Sequence, residues 1–121
     1  MSNNMPKPVI TFNQNNLSID NGLVEKMIQL PSVIKQFEVI DQIIVVRLHP
    51  KGVSFLNENV YGVSFEGKVL WQIEKMEHVD RDSPYTGLGQ ENGLLTAYNW
   101  DGCDYLVDPK TGKIIDRKFV K

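Results

Sequence analysis

The chain has 121 residues, a net charge of −2 and ordinary apolar and charged fractions of 41% and 23%. A chain this long buries roughly two-thirds of its unfolded surface, so it folds as one domain without a disulfide or metal. No Lys/Arg cluster is present to neutralise phosphates, which excludes nucleic acid as a partner, and the longest apolar run, Ile43 to Val46, is too short to span a membrane. Cys103 is the only cysteine, and the polar Met1–Pro8 stretch lacks the apolar segment of a secretory signal. A cytoplasmic protein is expected.

Residues 1–8 read as a flexible lead-in with two prolines, followed by a β domain over residues 9–121. Val9 to Phe12 and Leu17 to Ile19 suit a short hairpin, closed by Asn13 to Asn16 and followed by the Asp20-Asn21-Gly22 turn. Leu23 to Leu30 fits a strand or a short helix, ended by Pro31. Phe37 and Val39 alternate with Gln36 and Glu38, Asp41-Gln42 turns, and Ile43 to Leu48 reads as a strand buried on both faces.

Tyr61 to Ile73 is a second hairpin, and its register follows from its faces. A two-residue turn at Glu66-Gly67 mixes apolar residues on both faces and puts Glu66 at positive φ. A three-residue loop, Phe65-Glu66-Gly67, with Gly67 left-handed, sets Tyr61 opposite Trp71 and Val63 opposite Val69. Tyr61, Val63, Val69, Trp71 and Ile73 then share the apolar face, with Trp71 in the core.

Glu74 to Asn92 reads as the longest irregular stretch, rich in loop formers between Asp80 and Gly89. His78, Asp80, Asp82 and an exposed Tyr85 form the candidate binding loop. Alternate side chains at His78, Asp80 and Asp82 share a side if the chain is extended, but a solvated acidic loop accounts for them better than a metal site. Gly87-Leu88-Gly89 neither follows a strand nor opens a helix, as a phosphate loop requires. Leu94 to Trp100 is a strand, and Asp101-Gly102 signals a two-residue turn. That turn sets Trp100 opposite Cys103, Tyr98 opposite Tyr105 and Thr96 opposite Val107. Asp108-Pro-Lys-Thr-Gly112 turns the chain again into a charged edge strand from Lys113 to Val120.

Two segments are alike: Tyr61-Gly-Val63 with Tyr105-Leu-Val107, and Gly67-Lys-Val-Leu70 with Gly112-Lys-Ile-Ile115. The offset of 44 or 45 residues falls in the range of propeller blades, about 40–50 residues. The units, over about residues 34–74 and 94–116, resemble the blades of quinoprotein-like (PQQ-type) β-propellers, and Asp108 to Lys113 is similar to their interstrand turn. Two units do not close a ring, so the family's quinone and calcium sites are not carried over and no cofactor is expected. The Asn99-Trp-Asp-Gly102 hairpin also resembles one found in small uncharacterised bacterial proteins.

The expected fold is all-β: an antiparallel meander of about eight strands, as a sandwich, an open barrel or two propeller-like blades. No nucleophile is paired with a base: Cys103 has neither His49 nor His78 in a recognisable arrangement, and its expected place against Trp100 is structural. The expected role is non-catalytic binding or interaction with a protein partner, with toxin neutralisation suggested by analogy. The alternative is a small-molecule binder or enzyme using the His78–Gly89 loop. The exposed edges left by two blade-like units point to a homodimer.

Overall fold

The computed structural model describes residues 7–52, 54–76 and 82–119. These form three successive antiparallel meanders. The first comprises β1 (Val9–Asn13), β2 (Asn16–Asp20) and β3 (Glu25–Gln29). The second comprises β4 (Ile34–Ile40), β5 (Ile43–Leu48), β6 (Val60–Ser64) and β7 (Val69–Gln72). The third comprises β8 (Tyr85–Glu91), β9 (Leu94–Asn99), β10 (Cys103–Val107) and β11 (Ile114–Phe119). The fold is all-β, with eleven strands among the described residues where about eight were expected. The ambiguous Leu23–Leu30 run supplies β3, and β8 occupies the later part of the supposed Glu74–Asn92 loop. The two similar units fall on the second and third sheets.

The second sheet lies between the other two. One cluster joins it to the first sheet through Leu17, Ile19, Leu30, Ile34, Ile44, Val46, Leu48 and Val63. The other joins it to the third sheet through residues that include Ile43, Val45, Val60, Trp71, Tyr85, Leu95, Tyr105 and Val107. β5 therefore sends alternate side chains into two different cores, which is why its sequence is continuously apolar. The Asp41-Gln42 turn before it has φ of 49° and 63°, both left-handed, as a two-residue hairpin of this twist requires.

The first long hairpin keeps its expected loop. Gly67 has φ 83°, and the Ser64 N–H donates to the Lys68 carbonyl at 2.8 Å. Val63 faces Val69 as expected, but Trp71 lies opposite Gly62 instead of Tyr61. The ladder shifts between those pairs, inserting Leu70 as a bulge. The expected apolar face thus splits: Tyr61 and Val63 join the first-sheet side, Trp71 and Ile73 the third-sheet side. The cause is size. An indole needs depth, and only the face bearing Gly62 has it: a Cβ on Gly62 would lie 2.2 Å from Trp71 Cε2.

The second hairpin slips by one residue from its expected register. Tyr98 faces Asp104, Ala97 faces Tyr105, and Leu95 faces Val107. Trp100, Asp101 and Gly102 form a three-residue loop with Gly102 at φ 89°. Asn99 Oδ1 accepts from the Asp101 N–H at 2.9 Å, and Asp101 Oδ1 from the Cys103 N–H at 2.8 Å. These side-chain bonds favour the longer loop over the two-residue Asp-Gly turn. Its register puts Leu95, Ala97, Cys103, Tyr105 and Val107 together in the core and leaves Trp100 70% exposed. Cys103 is buried, as expected, but not against Trp100.

Trp71 and Gly62 are expected to be energetically coupled. Trp71→Ala should cost about 3–5 kcal/mol, and Gly62→Ala about 1–3 kcal/mol through overpacking. In the double variant the clash is gone, so denaturant melts should give a coupling energy of about 1–3 kcal/mol. Simple additivity would show that the indole does not sit on Gly62.

Candidate functional site

Polar residues occupy one end of the core between the second and third sheets. Asn59 is fully buried; its Nδ2 donates to the Leu48 and Tyr85 carbonyls at 2.7 and 2.9 Å, and its Oδ1 accepts from the Tyr85 N–H at 2.8 Å. The amide so mimics a piece of strand, tying the end of β5 to the start of β8. Asn99 does the same for Ser83: it accepts from the Ser83 hydroxyl and donates to its carbonyl at 2.9 Å. Asn57 accepts from the Ser83 N–H at 2.7 Å. The buried Asn59 and Asn99 amides of this segment are thereby matched with partners, which offsets their desolvation.

This network was not singled out from the sequence, although one signal was present. Asn99 continues the inward-facing positions Leu95 and Ala97, and a polar side chain at core parity requires a buried partner.

Two phenols lie beside the network. The Tyr85 and Tyr105 rings meet edge to face at 5.9 Å. Tyr105 donates to Asp101 Oδ2. Burial foremost, then the bond to Asp101 and its charge, pushes the Tyr105 phenol up to about 12. Burial also raises Tyr85 well above its ordinary value, aided by the nearby Tyr105 and Asp101. The Tyr85 hydroxyl has no hydrogen bond of good geometry.

Tyr105 is also the floor of a groove of about 440 Å³ between the second and third sheets. One wall is Glu74, Lys75 and Met76, just past β7; the other is Ile114 to Arg117 of β11. Glu74 closes one end, its N–H donating to the Gly112 carbonyl at 3.0 Å and its Oε1 accepting from the Ile114 N–H at 2.8 Å. Asp116 Oδ1 accepts from the Arg117 N–H at 2.8 Å. Both groove carboxylates are thus engaged with backbone. Lys75 and Arg117 have no carboxylate partner among the described residues, where the ion pair found is Lys118 with Glu91 at 3.4 Å.

The expected binding loop is rearranged. His78 and Asp80 lie outside the described residues. Asp82 is exposed beside Ser83. Tyr85, expected on the surface, is 2% exposed and begins β8, and Gly87 and Gly89 lie in that strand. Strand β8 departs from the expected loop although Thr86-Gly-Leu-Gly lacks local strand character: it pairs with β9 across Asn92-Gly93, at φ 51° and 79°, and Gln36 of β4 bonds the Leu88 carbonyl and N–H, each at 3.1 Å. Among the described residues, no three His, Cys, Asp or Glu side chains converge as metal ligands. His49 Nδ1 accepts from the Lys51 N–H at 3.1 Å. No helix of the described residues is long and apolar enough to cross a membrane.

Three outcomes follow from burial here. Tyr85→Phe should leave stability at neutral pH unchanged or raise it by about 1 kcal/mol, since the lost hydroxyl was unmatched. The unfolded chain releases phenolic protons from pH 10 upward, whereas the fold retains them at Tyr85 and Tyr105. Stability should therefore fall as pH rises above about 10, and less steeply in Tyr85→Phe. Urea melts across that range would reveal a pH-independent variant difference if the phenol were not held protonated. Cys103 is buried, so native thiol labelling should be slow and accelerate on unfolding; labelling at the rate of a free thiol would contradict its placement.

A search of curated proteins gives no match. Among solved structures, the crystal structure of the computationally designed Ika8 protein resembles the chain with a TM-score of 0.61 at 15% identity. The match covers 93% of this chain and 36% of that one, so this chain spans about a third of the designed protein's length. At this identity the likeness concerns the fold alone. The family model described as Domain of unknown function (DUF7957) matches residues 7–119, and the chain belongs to that family.

Proposed function

We propose that this chain is a non-catalytic binding protein whose contact surface is the groove between Glu74–Met76 and β11, and that it takes an anionic group of its partner. The observation that carries the reading is the unequal use of charge in the groove. Glu74 and Asp116 are engaged with backbone N–H groups, while Lys75 and Arg117, on opposite walls, have no carboxylate partner among the described residues. A bound carboxylate would complete both cations, and Arg offers it a bidentate fork. The surroundings favour an anion as well: residues 108–121 hold five Lys/Arg and two Asp, in a chain of net charge −2.

Binding without catalysis suits the titrating groups. Tyr85 and Tyr105 are pushed toward the protonated state, opposite to an activated nucleophile. Cys103 is buried. A single unpaired cysteine also fits a cytoplasmic setting.

Thermal-shift measurements with acidic peptides, small dicarboxylates and divalent metals would test this. Acidic ligands should raise the melting temperature of the parent, and Lys75→Glu should abolish that shift without lowering the ligand-free value. Peptide-only stabilisation would identify a protein partner; dicarboxylate stabilisation would identify a small molecule. Stabilisation by a metal alone, or an unchanged shift in Lys75→Glu, would overturn the reading.

A further inference from the structure

We infer that two copies of this chain pair antiparallel along β11, about a two-fold axis at Arg117, and so join their third sheets into one continuous eight-stranded sheet. This does not depend on what the groove binds.

β11 is an edge strand with one side unpaired. The opposite edge of the same sheet, β8, is already covered by β4: Gln36 bonds Leu88, and Gln90 Nε2 donates to the Val39 carbonyl at 3.2 Å. On β11, Glu74 covers the strand only as far as Ile114. Beyond that, Ile115 and Phe119 are 55% and 74% exposed, and the Arg117 N–H is met by its own neighbour's carboxylate instead of a strand. An unpaired edge bearing apolar side chains attracts another strand.

The order of charges selects a second copy as that strand. Two-fold antiparallel pairing sets each residue opposite its reflection through the axis, and the alternation of outward N–H groups requires the axis to fall on a residue. With Arg117 on the axis, Asp116 faces the partner's Lys118 and Lys118 faces the partner's Asp116. Ile115 faces the partner's Phe119 in the same way. Two opposite-charge pairs and two apolar pairs then flank a single Arg–Arg pair. Arg117 is exposed, so water and salt screen that central repulsion.

Centring on Asp116 or Lys118 instead puts like charges on the axis and leaves the other charged residues opposite no counter-charge within Ile114–Phe119. The remaining free edges offer less. β1 centred on Thr11 sets Ile10 opposite Phe12 and Val9 opposite Asn13, and β3 centred on Met27 sets Lys26 opposite Ile28 and Glu25 opposite Gln29, neither with a charge pair. β7 is four residues long and bulged. Pairing does give up the Lys118–Glu91 contact, but that ion pair is solvent-exposed and worth little.

Cysteine cross-linking in a Cys103→Ser background reads the axis directly. Arg117→Cys should form an intermolecular disulfide under mild oxidation, because residues facing each other across a ladder lie within bridging distance. Asp116→Cys and Lys118→Cys singly should not, whereas the two together should. In parallel, light scattering should show a mass above the 13.8 kDa monomer, rising with concentration. Asp116→Lys should weaken association by about tenfold or more, and the swap Asp116→Lys/Lys118→Asp should restore it. Circular dichroism on each variant separates loss of pairing from loss of folding. A monomer up to millimolar concentration, equal cross-linking at all three single positions, or a swap that fails to restore association in a folded variant would overturn the inference. Arg117 belongs to both the seam and the groove, but Lys75 lies off the seam, so cross-linking and the charge swap test the pairing while Lys75→Glu tests the groove separately.

Discussion

The contact on which the rest of the molecule depends is the indole of Trp71 between two glycines. A Cβ on Gly62 would reach 2.2 Å from Trp71 Cε2, and one on Gly112 would reach 2.5 Å from Cε3. Gly62 belongs to the second sheet and Gly112 to the turn between β10 and β11, so one side chain joins two sheets. The Trp71 Nε1–H donates to the Pro109 carbonyl at 2.8 Å, which fixes the orientation of the ring. Burying an indole removes a large apolar area from water, but only if its single polar group finds a partner. The turn from Asp108 to Gly112 supplies both that acceptor and the space. Gly112 also has φ 76°, so glycine is required there twice, by the backbone and by the ring.

A second constraint follows from stacking sheets on both faces of the middle one. β5 must be apolar at every inward position on two sides, and its neighbours must carry small residues where the other sheets press closely. The third sheet is only partly apolar toward the middle one. Asn59 and Asn99 occupy core positions there and substitute for missing strand pairing, making bonds that hold the entry to β8. Buried amides serve this purpose when each donor and acceptor is matched; an incomplete network would cost more than an apolar core.

The sequence was legible where local pattern and long-range packing agreed. The β5 run, the Asp41-Gln42 turn and the Gly67 loop all read correctly, because periodicity and turn chemistry suffice there. The hairpin registers show where that agreement ends. Placing residues by clean faces gave the first loop but not the Leu70 bulge, since nothing near Trp71 announces that its ring needs the hollow at Gly62. For the second hairpin, Asp101-Gly102 outweighed the faces, although a three-residue loop would have collected Leu95, Ala97, Cys103, Tyr105 and Val107 on one side. Asn99, whose side chain stabilises that loop, gives its signal only once its inward parity is noticed. β8 was read as loop because its Thr86-Gly-Leu-Gly run outweighed a local signal: Asn92-Gly93, at φ 51° and 79°, closes a two-residue hairpin that pairs β8 with β9. The groove was illegible because Lys75 and Arg117 come to line one cavity only when the sheets stack.

The groove itself is a consequence of how those sheets are fastened. Their first strands, β4 and β8, are drawn together by amide side chains: Gln36 on Leu88, and Gln90 on Glu38 and Val39. Near β7 and β11 the fastening found among the described residues is by Trp71, which bonds Pro109, and by Glu74, which bonds Gly112 and Ile114. Glu74 therefore sets the closed end of the groove, with Lys75 beside it on the same wall. The same contact leaves β11 unpaired from Ile115 onward. One acidic side chain, placed where β7 ends, thus determines where the molecule offers a cavity and where it offers an edge.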